Sequence, residues 1–289
     1  MKILIIGSTG QLGSDIIKLL SQKKNYAIAC YNKNEINLSL PGFTEKLQNE
    51  KFNYIINCSA VHDLDYAQKN IAITYQVNSN AVEELSTYCN NNNSTLIHFS
   101  TDYVFDGFLK NREYREDDEA IPINIYGSSK ISGEKKINKL CKNYYIFRVS
   151  SLFGKTPPSG KKYNFVDAII NKCKNIENIS VVDDQISKPT STLYIANVIS
   201  EIIERPIKKG LYHLTNDQSL SFYDYAVLIL KILKKNYHIN RLKYKELNFI
   251  VERPKFSSLD NTKLSSFVKT NNSLELYLEK YIKEKYYER

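Results

Sequence analysis

The chain has no tryptophan, one methionine and four histidines in 289 residues. Its five cysteines, Cys30, Cys58, Cys89, Cys141 and Cys173, form an odd set without a CxxC pair. That pattern argues against a disulfide framework and against a cysteine–histidine zinc site, so no metal is expected. Long apolar runs are also missing. The run in KILIIGSTG is five residues or fewer before a glycine turn, too short for a signal peptide, and no stretch approaches the length of a membrane span. A reducing cytoplasm is the expected compartment, with no membrane partner. Arginine is scarce: seven of the 40 basic residues, leaving 33 lysines, and the net charge of +9 is scattered rather than gathered in a block. Nucleic acid is therefore not an expected partner, whereas a small anion such as a nucleotide cofactor is compatible with this surface.

What is present is a globular composition, 42% apolar, in a chain long enough for one large domain or a large one with a small companion. KILII at residues 2–6 reads as a strand buried on both faces, and the segment after it places Leu12, Ile16, Ile17, Leu19 and Leu20 at helical spacing. AIACY, FNYIINCSA, STLIHFS and YYIFRVSS continue as strands, with helical patterns between them. This alternation predicts an α/β fold: a Rossmann-type, doubly wound parallel sheet with its ligand crevice at the carboxyl ends of the strands. After residue 153 the loop GKTPPSGKK and shorter segments suggest a smaller C-terminal α/β lobe. The expected division is a dinucleotide-binding domain over 1–153, with some later segments returning to it, and a mainly substrate-binding lobe over 154–289. The run Asn90 to Ser94 reads as a helix-ending turn, because asparagine tolerates the left-handed conformation.

Gly7, Gly10 and Gly13 form GxxGxxG directly after the first strand and at the start of a helix. A dinucleotide pyrophosphate needs close backbone approach, free N–H groups and the positive end of a helix, and this turn offers all three. After the second strand the chain reads CYNKNE. A lysine, Lys33, without an adjacent aspartate leans towards NADP, and Glu35 keeps NAD open.

HFSTDYVFDG brings Ser100, Thr101 and Asp102 out at the end of the fourth strand, and 25 residues beyond Thr101, near a helix start, comes Tyr126 with Lys130 four residues on. Spacing alone is weak, since 22 tyrosines and 33 lysines give roughly 2.5 such pairs by chance. The chain has two, the other being Tyr281 with Lys285, which reads as a surface pair in a charged terminal helix. Position separates them. On a helix i and i+4 share a face, so Lys130 can lend its charge to a Tyr126 phenol, and a Thr101 hydroxyl can hold a substrate oxygen: an apparatus for reducing a carbonyl.

These segments together resemble the dTDP-4-dehydrorhamnose reductase family of extended short-chain dehydrogenases/reductases. The matching motifs are GSTGQLG at 7–13, INCSAVHDLDYAQ at 56–68, VNS at 77–79, STDYVFDG at 100–107, YGSSK at 126–130, FRVSSLFG at 147–154, DDQISKPT at 183–190, GLYHLT at 210–215 and RPKFSSLDNTKL at 253–264. The resemblance implies a catalytic set of Thr101, Tyr126 and Lys130. It implies cofactor contacts at Gly7, Gly10, Gln11, Leu12, Asn37, Leu38, Ser59, Ala60, Tyr126 and Lys130, and substrate contacts at Thr101, Asp102 and Tyr103. The implied reaction uses NADPH, with NAD open, to reduce the 4-keto group of a nucleotide-linked 6-deoxy sugar, dTDP-4-dehydro-L-rhamnose above all, by a monomer or homodimer. The departures lie around the sugar: Val149 stands where the family has threonine, Ser151 where it has tryptophan, Asn37 where it has aspartate and His62 where it has threonine. Loss of an indole removes a large apolar wall. Two alternatives therefore stay open: a reductase of another 4-keto nucleotide sugar, and a non-catalytic cofactor-binding regulatory subunit. His62 is expected to line the crevice.

Overall fold

Why the first strand is central follows from its side chains. In β1 (Lys2–Ile6) alternate residues serve two different cores: Ile3 and Ile5 join one apolar cluster, Leu4 and Ile6 another. A strand buried on both faces needs neighbours on both edges and helices on both sides. In the computed structural model, which describes residues 1–109, 111–175 and 179–287, it has them. The chain runs through α1 (Gln11–Leu20), β2 (Ala27–Tyr31), β3 (Tyr54–Asn57), α2 (Leu64–Lys69), α3 (Ile71–Tyr75), α4 (Ala81–Asn91) and β4 (Thr95–Thr101) to α5 (Ile125–Leu140) and β5 (Tyr144–Val149). A single π-helical turn over Gln76–Asn80 precedes α4.

The second half contributes β6 (Leu152–Phe153), α6 (Phe165–Asn175), β7 (Ile179–Val182), β8 (Ile186–Ser187), β9 (Thr190–Ser191), α7 (Thr192–Glu204) and β10 (Gly210–His213). It ends with β11 (Leu220–Ser221), α8 (Phe222–Ile232), β12 (Ile239–Leu242), α9 (Thr262–Ser265) and α10 (Leu274–Ile282). The main sheet has the order β10-β5-β4-β3-β1-β2, and all its pairings are parallel. The expected Rossmann-type α/β fold is the one observed. Helices α1 and α7 pack together on one face, α4 and α5 on the other. Three two-stranded sheets, β11–β8, β12–β7 and β6–β9, lie outside the main one. From the later half of the chain β10 pairs with β5 in the main sheet, α7 packs on α1, and one apolar cluster runs from Ile3 to Ile282.

Strand order reverses between β1 and β3, so the carboxyl ends of these two strands border a crevice. The helix-ending turn is as expected: α4 stops at Asn91 and Asn93 takes a left-handed φ of 54°.

The terminal helix departs from expectation. Tyr281 is 5% exposed and Asp167 on α6 only 1%. The Tyr281 hydroxyl donates to Asp167 Oδ1 at 2.5 Å and accepts from Asn164 Nδ2 at 2.8 Å, and Lys285 Nζ donates to Asp167 Oδ2 at 2.7 Å. Tyr286 also donates to Asp167, at 2.7 Å. The pair read as surface is a strut: a carboxylate distant in sequence lets the Tyr281 phenol leave water, and the half-buried Lys285 closes over it.

Candidate functional site

At the β1/β3 boundary Gly7 adopts φ +80°, and a Cβ there would lie 2.6 Å from Ser59 Oγ and 3.0 Å from the carbonyl carbon of Cys58. Glycine is thus required both by conformation and by how closely the two loops meet. Gly10 N donates to Gly7 O at 3.0 Å, closing the turn, and Gly10 caps α1 without any side-chain hydrogen bond to the helix. Among the described residues no side chain caps the first-turn N–H groups of α1. Gln11 and Leu12 follow, both buried, and among the described residues the buried Gln11 Nε2 has no hydrogen-bond partner. A glycine cradle, an uncapped helix start and an orphaned amide fit the phosphate-bearing part of a dinucleotide.

Beyond β2, Asn37 Oδ1 accepts from Ser39 N and Ser39 Oγ at 3.1 and 2.7 Å, and Leu38 is buried beside it. Glu35 is exposed but bonded within its own turn, its Oε2 accepting from the Asn32 N–H at 2.6 Å, and Lys33 is exposed at the tip of that turn. Ser59 and Ala60 leave β3 at the crevice, with Ser59 N held by Asn57 Oδ1 at 3.1 Å. His62, in the same loop, has a buried Nε2 with no partner among the described residues, and burial, reinforced by the Lys161 charge, lowers its pKa.

Thr101 ends β4 opposite Val149 of β5, and its Oγ1 accepts from the Tyr103 N–H at 3.2 Å. Asp102 is 2% exposed and fully bonded: Ser150 and Ser257 donate to its Oδ2 at 2.8 and 2.6 Å, and Thr101 to its Oδ1 at 3.1 Å. Burial raises its pKa to about 6 despite those three hydroxyls. The carboxyl therefore binds the ends of β4 and β5 to the 253–264 segment. Tyr103 stacks edge-on against Tyr126, ring centroids 5.9 Å apart, and burial pushes its phenol upward.

Tyr126 opens α5, whose N-cap Asn124 accepts from Gly127 N at 2.9 Å. Gly127 lets that turn press on β4's exit loop, since a Cβ there would fall 2.0 Å from Tyr103 O. The Tyr126 phenol is pushed up to about 12 by burial, the Thr101 hydroxyl beside it pulling the other way and the Asp102 charge adding to the rise. Lys130, one turn on, is 1% exposed and lowered to about 8 by burial, partly offset by Glu134. Its Nζ donates to Phe99 O at 2.7 Å and lies 3.1 Å from His98 Nε2; among the described residues no hydrogen bond joins it to the Tyr126 hydroxyl.

Sequence reasoning passed over three buried residues here. Asn57 and His98 sit behind Lys130, and Asn78, set by the π-helical turn, exchanges hydrogen bonds with Val61 (both 2.9 Å) and donates to Ser129 Oγ at 3.0 Å. Ser129 in turn donates to Tyr126 O at 2.7 Å. The one available signal was the oddity of polar residues in apolar strands and in the VNS stretch. Ser151, by contrast, was singled out, and it is unusual: φ is +43° and its Oγ lies 2.8 Å from Ser187 Oγ.

A parallel sheet with a glycine turn at its switch point, and a Thr–Tyr pair at the neighbouring strand end, defines a Rossmann-type short-chain dehydrogenase/reductase. The RmlD substrate binding domain model matches residues 1–286, and the chain belongs to that family, the dTDP-4-dehydrorhamnose reductases. It is 33% identical to the dTDP-4-dehydrorhamnose reductase of Aggregatibacter actinomycetemcomitans over 91% of this chain and 92% of that one. Two solved structures are similar throughout: the dTDP-4-dehydrorhamnose reductase of Clostridium acetobutylicum (31% identity, TM-score 0.91) and that of Bacillus anthracis in complex with NADP (30%, TM-score 0.89). Each comparison covers 98% of this chain and 99% of the other. Among the described residues no helix is long and apolar enough to cross a membrane.

Proposed function

We propose that the protein reduces the 4-keto group of a nucleotide-linked 6-deoxy sugar, dTDP-4-dehydro-L-rhamnose in the first instance, with NADPH as reductant and Tyr126 as proton donor. The observation that carries this reading is the pairing of Thr101 with Tyr126 at the carboxyl end of β4, two strands from the glycine turn after β1, in a chain whose relatives are dTDP-4-dehydrorhamnose reductases. The cofactor, when bound, supplies a hydride to the carbonyl carbon.

The chain's own residues do the rest. Gly7, Gly10, Gln11 and Leu12 cradle the pyrophosphate, Asn37 and Leu38 flank the adenine, and Ser59 and Ala60 line the nicotinamide half. On substrate binding Thr101 turns its one hydroxyl proton from Asp102 Oδ1 to the carbonyl oxygen and so orients it, while Ser150 and Ser257 keep their bonds to Asp102. A phenol held up to about 12 keeps its proton at neutral pH, yet yields it to the far more basic alkoxide that forms as hydride arrives. The ammonium of Lys130 then stabilises the phenolate left behind. Asp102 and Tyr103 shape the sugar side, the first by fixing three chain segments through its hydroxyl partners. Support for NADPH over NADH comes from Glu35, whose carboxylate is engaged by its own turn, and from exposed Lys33, a cation suited to an added phosphate.

A second reading, the same chemistry on another 4-keto nucleotide sugar, is favoured by one observation: Ser151 offers a hydroxyl and a left-handed backbone instead of a large apolar wall. The test offers the purified protein NADPH or NADH with dTDP-4-dehydro-L-rhamnose and with other enzymatically generated 4-keto nucleotide sugars. Equimolar cofactor oxidation and 6-deoxy sugar formation are expected, fastest with NADPH; absence of oxidation with every ketone would end the proposal.

A further inference from the structure

His98 is fully buried in the middle of β4, between Asn57 on β3 and Lys130 on α5. Its partners determine where its proton sits. Asn57 Oδ1 accepts from the Ser59 backbone N–H at 3.1 Å, and a backbone N–H can only donate, so the amide's NH2 group faces the other way. That NH2 group lies 3.2 Å from His98 Nδ1, which must therefore accept and carries no proton. A neutral imidazole then bears its proton on Nε2, 3.1 Å from Lys130 Nζ. An ammonium facing an N–H at that distance has two donors and no acceptor. A neutral amine accepts from Nε2–H while donating to Phe99 O at 2.7 Å, and every group is satisfied.

We propose that Asn57 and His98 are positioning residues for Lys130: Asn57 locks His98 as the Nε2–H tautomer, and that N–H holds the lysine amine against β4. The lysine takes up its extra proton and turns towards Tyr126 only when a bound ligand offers new acceptors in the crevice. The inference rests on the proposed function in assigning Lys130 to Tyr126. Full burial lowers the pKa of both Lys130 and His98, that of Lys130 to about 8, and the Nε2–H donor facing the amine pushes Lys130 further in the same direction. The other titratable groups around Lys130 are Tyr126 and Glu134 on its own helix, with Glu134 paired to Arg148 of β5 at 2.7 Å; Asp102, beyond β4, acts on Tyr126.

The test begins with the intact, cofactor-free protein labelled with 15N-histidine. Long-range 1H–15N correlation distinguishes the two ring nitrogens, and the His98→Gln variant identifies the His98 signals among four histidines. His98 is expected to show a protonated Nε2 and a bare Nδ1, unchanged between about pH 7 and about pH 9, where the lysine is held as the amine. A protonated Nδ1, or titration in that range, would overturn the proposal. The Asn57→Asp variant supplies the second readout. A carboxylate there accepts a hydrogen bond from Nδ1–H, which keeps the ring proton on Nδ1 and turns Nε2 into an acceptor for the ammonium. The alkaline limb of kcat/KM for NADPH should then move up by about one pH unit, and an unmoved limb would count against the proposal. The two readings fail separately. A fully active Tyr126→Phe variant removes the catalytic assignment and leaves the His98 tautomer standing; a bare Nε2 with an inactive Tyr126→Phe does the reverse.

Discussion

Lys285 Nζ donates to the Tyr281 hydroxyl at 2.9 Å, whereas Lys130, at the same spacing from Tyr126, bonds the wall of β4 instead. The pair in direct contact is the structural one. Tyr281 shares a hydrogen bond with the buried Asp167 carboxylate, which raises its phenol far above the usual range after burial has already done so. A phenol tied to a carboxylate has no proton to offer a substrate. Tyr126 instead sits next to a neutral hydroxyl, with its charge partner withheld nearby.

Removing Asp167 should therefore damage stability and not chemistry. In Asp167→Ala the Lys285 charge and the Tyr281 and Tyr286 hydroxyls lose a buried partner, at a cost on the order of 3 kcal/mol. Urea denaturation should record that loss, while kcat measured well below the melting temperature stays near the unmodified value.

Asp102 predicts a pH dependence of stability. Its folded pKa, about 6, lies above the ordinary 3.8, so the folded state binds the proton more tightly. The stabilisation is fully present below pH 3.8 and is lost as pH rises through 6, on the order of 3 kcal/mol across that window. Asp102→Asn, which can keep Thr101 and both serine partners, should flatten the melting temperature against pH between those limits. An unchanged slope would mean that the burial of this carboxyl is relieved in solution.

Much of the fold was legible because its signals are local. KILII followed by GSTGQLG specifies a strand, a turn and a helix within 20 residues, and the motif order carried the family. Tyr126 and Lys130 were legible by position, on the first turns of α5. His98 was not, since inside STLIHFS it reads as one polar residue in a buried strand, and its meaning depends on Asn57 and Lys130 from two other elements. Tyr281 was misread for the same reason: its carboxylate partner lies 114 residues earlier. Pairings across elements leave no periodicity in the sequence.

The glycine turn makes a sharp prediction about cofactor. Gly7→Ala places a methyl 2.6 Å from Ser59 Oγ on a backbone at φ +80°. Strain of about 1–3 kcal/mol and displacement of the cradle are expected, with NADPH affinity falling at least tenfold in a fluorescence titration. Gly7→Ala with unaltered affinity would remove this turn from the cofactor site.

The central claim is that Tyr126 donates the proton to a sugar ketone. Stopped-flow NADPH oxidation with a 4-keto nucleotide sugar, run on the unmodified protein and on Tyr126→Phe, tests it most directly. The account predicts a rate reduced by roughly 10²–10⁴ in the variant, with NADPH affinity changed less than about threefold. Oxidation at the unmodified rate in Tyr126→Phe would contradict it.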